Sequence, residues 1–256
     1  MQDRIIGTTM PVLEITLDPG EAIFSESGEL SWMTQSIVMQ TSTQMGGGGG
    51  VGGVFKRALG GSSIFMSEYS AQGAPGMVAF AARLPGMIFP LDVAPQPGMG
   101  FLGHRHSFVC GVHGVQLSVG FQQHLGAGLF GGDGFRLEKI SGQGRAWCEL
   151  SGEVLTYDLK PGESLRVHPA HVGLFQDTVQ FSITTIKGIK NKIFGGDGIF
   201  LALLTGPGRV WLQSLPLQKL AQALGEFSPG QAAEAGVAGG VAGGAASGVM
   251  RGIFGG

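Results

Sequence analysis

The chain has 256 residues, with 16 Lys plus Arg against 18 Asp plus Glu, and its formal charge of −2 supplies no surplus for generic binding to phosphate backbones or acidic membranes. Glycine contributes 48 residues, where ~7% is usual, and charged residues are 13% where ~25% is usual, yet 43% hydrophobic content is the opposite of a disordered composition. Two cysteines, Cys110 and Cys148, make neither a disulfide framework nor a metal cluster, and residues 1–17 hold no apolar core of signal-peptide length, so a cytosolic, reduced chain is the expectation.

Short alternating runs dominate from the start. Leu13, Ile15 and Leu17 alternate with more polar neighbours, as do Leu155, Tyr157 and Leu159, and then Val179, Phe181 and Ile183. Period two over five to seven residues, punctuated by Gly and Pro, predicts half-buried antiparallel strands. Seven of the twelve prolines precede glycine (Pro19, Pro75, Pro85, Pro97, Pro161, Pro207 and Pro229), the pair that suits the two centres of a type II turn. The glycines from Gly46 to Gly53, with Lys56 and Arg57 behind them, lack the spacing of a P-loop and read as a flexible connection between strands. One helix is predicted at 214–225, with Ser214 as its cap, Pro216 in its first turn, and Leu217, Leu220, Ala221 and Leu224 on its apolar side.

The chain also resembles itself. Phe130-Gly-Gly-Asp-Gly134 recurs as Phe194-Gly-Gly-Asp-Gly198, and Gly142-Gln-Gly-Arg-Ala-Trp147 recurs as Gly206-Pro-Gly-Arg-Val-Trp211, both at an offset of 64 residues. A fainter copy lies in Leu59-Gly-Gly61, Phe65 and Gly76-Met-Val-Ala-Phe80. Each copy would have one apolar face that it cannot bury alone, so three are expected to pack around a shared axis. The expected organisation is a β domain over 1–213, with repeats at approximately 10–90, 91–155 and 156–213, then the helix at 214–225 and a Gly/Ala-rich tail at 226–256.

Few residues point to chemistry. His104-Arg-His106 would place two imidazoles on one side of a strand, the spacing of cupin-like metal sites, with His168 as a loose third ligand; His113, His124 and His171 complete the histidines. No glutamate follows the pair as a cupin requires, and surface or loop histidines are the preferred reading. Asp133 and Asp197 recur in glycine loops, where Asp-Gly is ordinary turn chemistry. Lys187, Lys190 and Lys192 could meet RNA or anionic lipid, but such clusters more often blunt a sheet edge. Trp147 and Trp211 occupy equivalent places and read as packing residues. No Gly-x-Ser-x-Gly elbow or cysteine signature marks a nucleophile. In the tail, Gly236, Gly240, Gly244, Gly248, Gly252 and Gly256 recur every fourth residue, a spacing that lets helices approach closely. Only sixteen uncharged residues separate Glu234 from Arg251, short of the ~20 that a spanning helix needs.

An ordered series of motifs resembles the altered-inheritance-of-mitochondria family, grouped with the tryptophan RNA-binding attenuation protein-like (TRAP-like) superfamily. The series comprises Leu17-Asp-Pro-Gly-Glu21, Lys56 through Phe65, Leu84-Pro-Gly86, Ser107-Phe-Val109, Phe130-Gly-Gly-Asp-Gly134, Leu159-Lys-Pro-Gly-Glu163 and Thr205 through Gln213, within residues 10–225. The resemblance implies an all-β, TRAP-like fold of three pseudo-repeated antiparallel units around a pseudo-threefold axis, followed by a short helix. It implies little chemistry, since bacterial members have no settled activity and eukaryotic members are associated with the mitochondrial inner membrane. The expectation is a non-enzymatic scaffold or interaction protein with no cofactor, no metal and no catalytic residue. Its expected partners are further copies of itself, with peripheral membrane contact through the tail and no nucleic acid. The expected location is cytoplasmic, at the periphery of the inner membrane. A cupin-like metal or small-ligand enzyme and an RNA-binding protein are the alternatives.

Overall fold

The structure is a computed structural model and describes residues 1–42, 66–123, 135–186 and 199–226. The glycine run, Lys56, Arg57, His124, Asp133, Asp197, the three clustered lysines and the tail lie outside the described residues. Residues 1–218 form one compact unit. Among the described residues secondary structure is almost entirely strand, and every ladder is antiparallel.

After β1 (Gln2–Ile6) the strands fall into three groups of six. The first holds β2 (Val12–Leu17), β3 (Ala22–Glu26), β4 (Trp32–Met33), β5 (Ile37–Ser42), β6 (Met66–Ala71) and β7 (Gly76–Ala81). The second holds β8 (Gly86–Val93), β9 (Phe101–His104), β10 (Phe108–Val112), β11 (Val115–Gln123), β12 (Phe135–Gly142) and β13 (Gly144–Ser151). In the third are β14 (Val154–Leu159), β15 (Ser164–Val167), β16 (Val172–Gln176), β17 (Gln180–Ile186), β18 (Ile199–Thr205) and β19 (Gly208–Gln213). Within every group the sixth strand pairs with the first and the third, and the fifth pairs with the second and the fourth. Groups are then joined second strand to third strand: β3 pairs with β10, and β9 with β16. Two six-stranded sheets result, each half from one group and half from the next, while a four-stranded sheet ending in β4 and a three-stranded sheet ending in β15 remain at the two extremities.

Equivalent positions follow from register. Opposite the glycine that opens each sixth strand (Gly76, Gly144, Gly208) stand Leu17, Val93 and Leu159; two residues along stand Ile15, Leu91 and Tyr157; four along stand Leu13, Phe89 and Leu155. In the first group this face is sealed, with Leu13, Ile15 and Leu17 fully buried against Ile88, Cys110 and Trp147 of the second. The corresponding face of the second group packs on the third, where Phe89 stacks on Trp211 with ring centroids 6.5 Å apart. In the third group the expectation of a half-buried alternation fails: Leu159 is buried, but Leu155 and Tyr157 are 46% and 40% exposed.

Glycine roles also divide. Gly20, Gly98 and Gly162 take positive φ after proline, as type II turns require, and a Cβ on Gly20 or Gly162 would meet nothing. Gly76 and Gly86 instead open strands. A Cβ on Gly86 would lie 2.1 Å from the Leu150 carbonyl oxygen, so the requirement there is close backbone approach, not turn geometry. The helix, α1 (Leu217–Glu226), starts immediately after Pro216; the Ser214 hydroxyl does not cap it but accepts the Glu153 N–H at 2.8 Å. No helix among the described residues is long and apolar enough to cross a membrane.

Candidate functional site

A cluster of polar and charged groups lies around the turn between β9 and β10. A cavity of about 220 Å³ opens there, lined by Arg83, His104, His106, Ser107, Glu149 and Gln213 among others. Here the structure departs from the strand-borne spacing on which the cupin-like alternative rested. His104 ends β9, Arg105 and His106 form a turn closed by the Ser107 N–H donating to the His104 carbonyl at 2.9 Å, and His106 takes φ +70°, so the two imidazoles do not lie along one strand face. His106 is the one non-glycine with positive φ among the described residues, and the corresponding turn after β3 carries Gly28 at φ +98°. Histidine in the left-handed region holds strain of order 1 kcal/mol, a cost that glycine does not bear.

Four carboxylates and an arginine organise the surroundings. The Arg83 guanidinium donates to both Glu29 carboxylate oxygens, Nε to Oε2 at 3.0 Å, and lies 3.5 Å from Glu149 Oε1, while the Arg83 backbone N–H donates to Glu149 Oε2 at 3.2 Å. Its charge is thus neutralised between β13 and the loop after β3. Glu26 closes β3, and burial, reinforced by the negative charges of Glu138 and Glu29, lifts its carboxyl pKa to about 7. Burial likewise raises Glu138, partly offset by Arg136 and then Arg105 and Arg83, and Glu149, partly offset by Arg83. Glu26 Oε1, Glu138 Oε2 and Ser107 Oγ are buried without a hydrogen-bond partner. Both imidazoles shift the other way: desolvation leads for each, pushing His106 down to about 4 with help from Arg83 and Arg105 and lowering His104. At neutral pH the cleft therefore presents neutral imidazoles and an Arg83 guanidinium already engaged, with a partly protonated Glu26 nearby.

The remaining sequence candidates lie elsewhere. His168 precedes a 3-10 turn at Pro169–His171, accepts the Ala170 N–H at 3.4 Å, and its ring stands 6.0 Å from that of His171. His113 Nε2 is 3.6 Å from Glu68. Among the described residues no three His, Cys, Asp or Glu side chains converge to hold a metal ion. Cys110 and Cys148 are buried free thiols on neighbouring strands, their ionisation suppressed by burial. Trp147 is fully buried and donates its indole N–H to Asp3 at 3.0 Å; Trp211 packs on Phe89 and Phe101. Sequence reasoning missed Arg83, Glu26, Glu29, Glu138 and Glu149. They are distant in the chain and meet only through strand pairing, so no local spacing announces them.

Comparison with known proteins returns the same architecture and no chemistry. An uncharacterised protein of Streptococcus pyogenes serotype M6 is 24% identical over 223 residues, covering 86% of this chain and 87% of that one. The X-ray structure of a Streptococcus pyogenes protein matches with a TM-score of 0.68 at 20% identity, over 88% of this chain and 99% of the other, a likeness of fold. The motif series found in the sequence is matched by a family model spanning residues 4–215, and the chain belongs to that family, AIM24, described as mitochondrial biogenesis AIM24.

Proposed function

We propose that this protein is a non-enzymatic interaction scaffold that works as an assembly of its own copies. One observation carries the reading: Leu155 and Tyr157 stand exposed at positions whose counterparts Leu13 and Ile15 are fully buried. Two large apolar side chains on an edge strand, and separately the exposed pair Trp32 and Met33 on β4, are the kind of surface that a partner removes from water. The cleft around His106 fits a structural role in this reading, because the Arg83 guanidinium that lines it is held by the protein's own carboxylates. Light scattering across a wide concentration range tests the proposal. An oligomer that Leu155→Lys with Tyr157→Lys dissociates is the expected result, and a monomer at every concentration would overturn it.

Peripheral attachment to the inner membrane from the cytoplasmic side belongs to the same proposal and is assigned to residues 226–256, on the strength of the four-residue glycine spacing. Liposome flotation of the full chain beside one ending at Gly225 tests it; equal flotation of the two removes the tail from the role.

A further inference from the structure

We propose that the bare face of the third group is covered by the first group of a second copy, with β15 pairing to β4 of that copy in a defined register. This rests on the scaffold reading above and specifies its interface.

The protein already contains this interface twice. At both internal joins the second strand of one group pairs with the third strand of the next, and an apolar face of the earlier group closes on the outward face of the later one. The third group owns the earlier half of such a join, β15 with Leu155 and Tyr157 beside it, and the first group owns the later half, β4 with Trp32. Among the described residues no ladder connects β15 to β4. Each remains the terminal strand of its sheet, with backbone hydrogen-bonding capacity on one edge.

The side chains at the two halves correspond as well. At the internal joins the outward face presents a tryptophan on the sixth strand, Trp147 or Trp211, with a smaller residue opposite, Cys110 or Leu174. In the first group the sizes are exchanged: Ala79 takes the sixth-strand position and Trp32 stands opposite it on β4. The indole is retained, moved across one strand. Trp211 stacks on Phe89, and the counterpart of Phe89 in the third group is Leu155, so Trp32 of a second copy would cover Leu155 and Tyr157.

Register follows from the turns. Counting from Pro19, Pro97 and Pro161, the counterparts of Ser25 and Gly103 is Val167, and those of Phe24 and Leu102 is Arg166. Ser25 faces Cys110 and Gly103 faces Leu174, while Phe24 faces Gly111 and Leu102 faces Phe175. The new ladder therefore sets Val167 opposite Trp32 and Arg166 opposite Met33. Such a contact joins different surfaces on the two copies, so it propagates head to tail into a ring or a filament.

Cysteine pairing in the full-length chain tests this. Met33→Cys and Arg166→Cys are both exposed substitutions, and the native thiols are buried. Directly opposed residues in an antiparallel ladder lie close enough for a disulfide. Mixing the two single variants under mild oxidation is expected to give a disulfide-linked dimer containing one of each, with neither variant linking to itself. Self-linking of Met33→Cys would indicate a symmetric interface and overturn the proposal. So would an intramolecular link in a monomeric double variant, which would mean that the chain closes on itself. A stable oligomer in light scattering without the mixed disulfide would refute this register while leaving the scaffold reading intact, whereas a monomer throughout would end both.

Discussion

Glu26→Gln is expected to stabilise the protein at alkaline pH and to leave it nearly unchanged at acid pH. The carboxyl pKa is lifted from 4.5 to about 7 by burial and by neighbouring Glu138 and Glu29. A raised acid pKa means that the folded state binds more protons than the unfolded state between those two values, so stability falls as pH rises from about 4.5 through about 7. Roughly 2.5 pH units at 1.36 kcal/mol each gives a penalty of ~3 kcal/mol above pH 8. Glutamine mimics the protonated carboxyl and titrates nowhere in this range, so it should recover most of that penalty at pH 8 and little at pH 4.5. For a unit of this size the gain corresponds to a rise in Tm of roughly 6–12 °C. Thermal melts of both proteins at pH 4.5, 6 and 8 provide the assay. A shift independent of pH, or destabilisation at pH 8, would refute the account of a buried, repelled carboxyl. His106 works in the opposite sense: its imidazole is pushed down to about 4, so its contribution is present above the unfolded pKa near 6.5 and is lost as pH falls through 4. Because that ring is partly solvated, its effect is the smaller, and since the two windows, 4.5 to about 7 and about 4 to 6.5, overlap, it offsets part of the Glu26 trend without reversing it.

Replacing His106 by Gly should relieve the left-handed strain at φ +70° and raise stability by up to ~1 kcal/mol in denaturant titration, despite the loss of a side chain from the cleft. Gly86→Ala should cost several kcal/mol, since the new Cβ would lie 2.1 Å from a backbone oxygen, while Gly20→Ala at φ +89° meets no atom and should cost only ~1 kcal/mol of backbone strain. Leu13→Ala should cost 2–5 kcal/mol by roughly the usual buried-leucine measure, and Leu155→Ala under ~1 kcal/mol in dilute protein. Equal costs for the two leucines would show that the third group is covered within the monomer.

The sequence carried the class of the fold because local signals sufficed: Leu13, Ile15 and Leu17 alternate and are buried, and Pro-Gly marks turns at Gly20, Gly98 and Gly162. The same signals misplaced Gly76 and Gly86, since nothing local separates a glycine needed for φ from one needed for close approach. Leu155 and Tyr157 alternate just as Leu13 and Ile15 do, yet they are exposed, because burial depends on what packs above a strand and not on the strand itself. The cleft was still less legible. Glu26, Arg83 and Glu138 come from separate elements, and His104-Arg-His106 suggested a strand-borne pair where a turn intervenes.

An arrangement in which each group closes on the next has a consequence at its ends. Within the chain, a join costs nothing extra in association entropy once the preceding group has folded, so the faces at Leu13 and Phe89 are covered at any concentration. Among the described residues the last face keeps Leu155 and Tyr157 exposed, and the first edge, β4, has no strand beyond it. The exposed large apolar residues at those two ends are Trp32, Met33, Leu155 and Tyr157, a patch that an edge meant to stay in water does not usually carry, although β15 itself also exposes Arg166. β1 shows the contrast: it pairs along the free edge of β2, and its Arg4 is tied to Glu14 of that strand. One edge is thus capped by the chain's own N-terminal strand, while among the described residues no strand pairs with the outer edge of β4 or β15. That difference is what a surface retained for a further copy predicts, and substituting charge at Leu155 and Tyr157 should convert the assembly to monomers without lowering the melting temperature of the monomer itself.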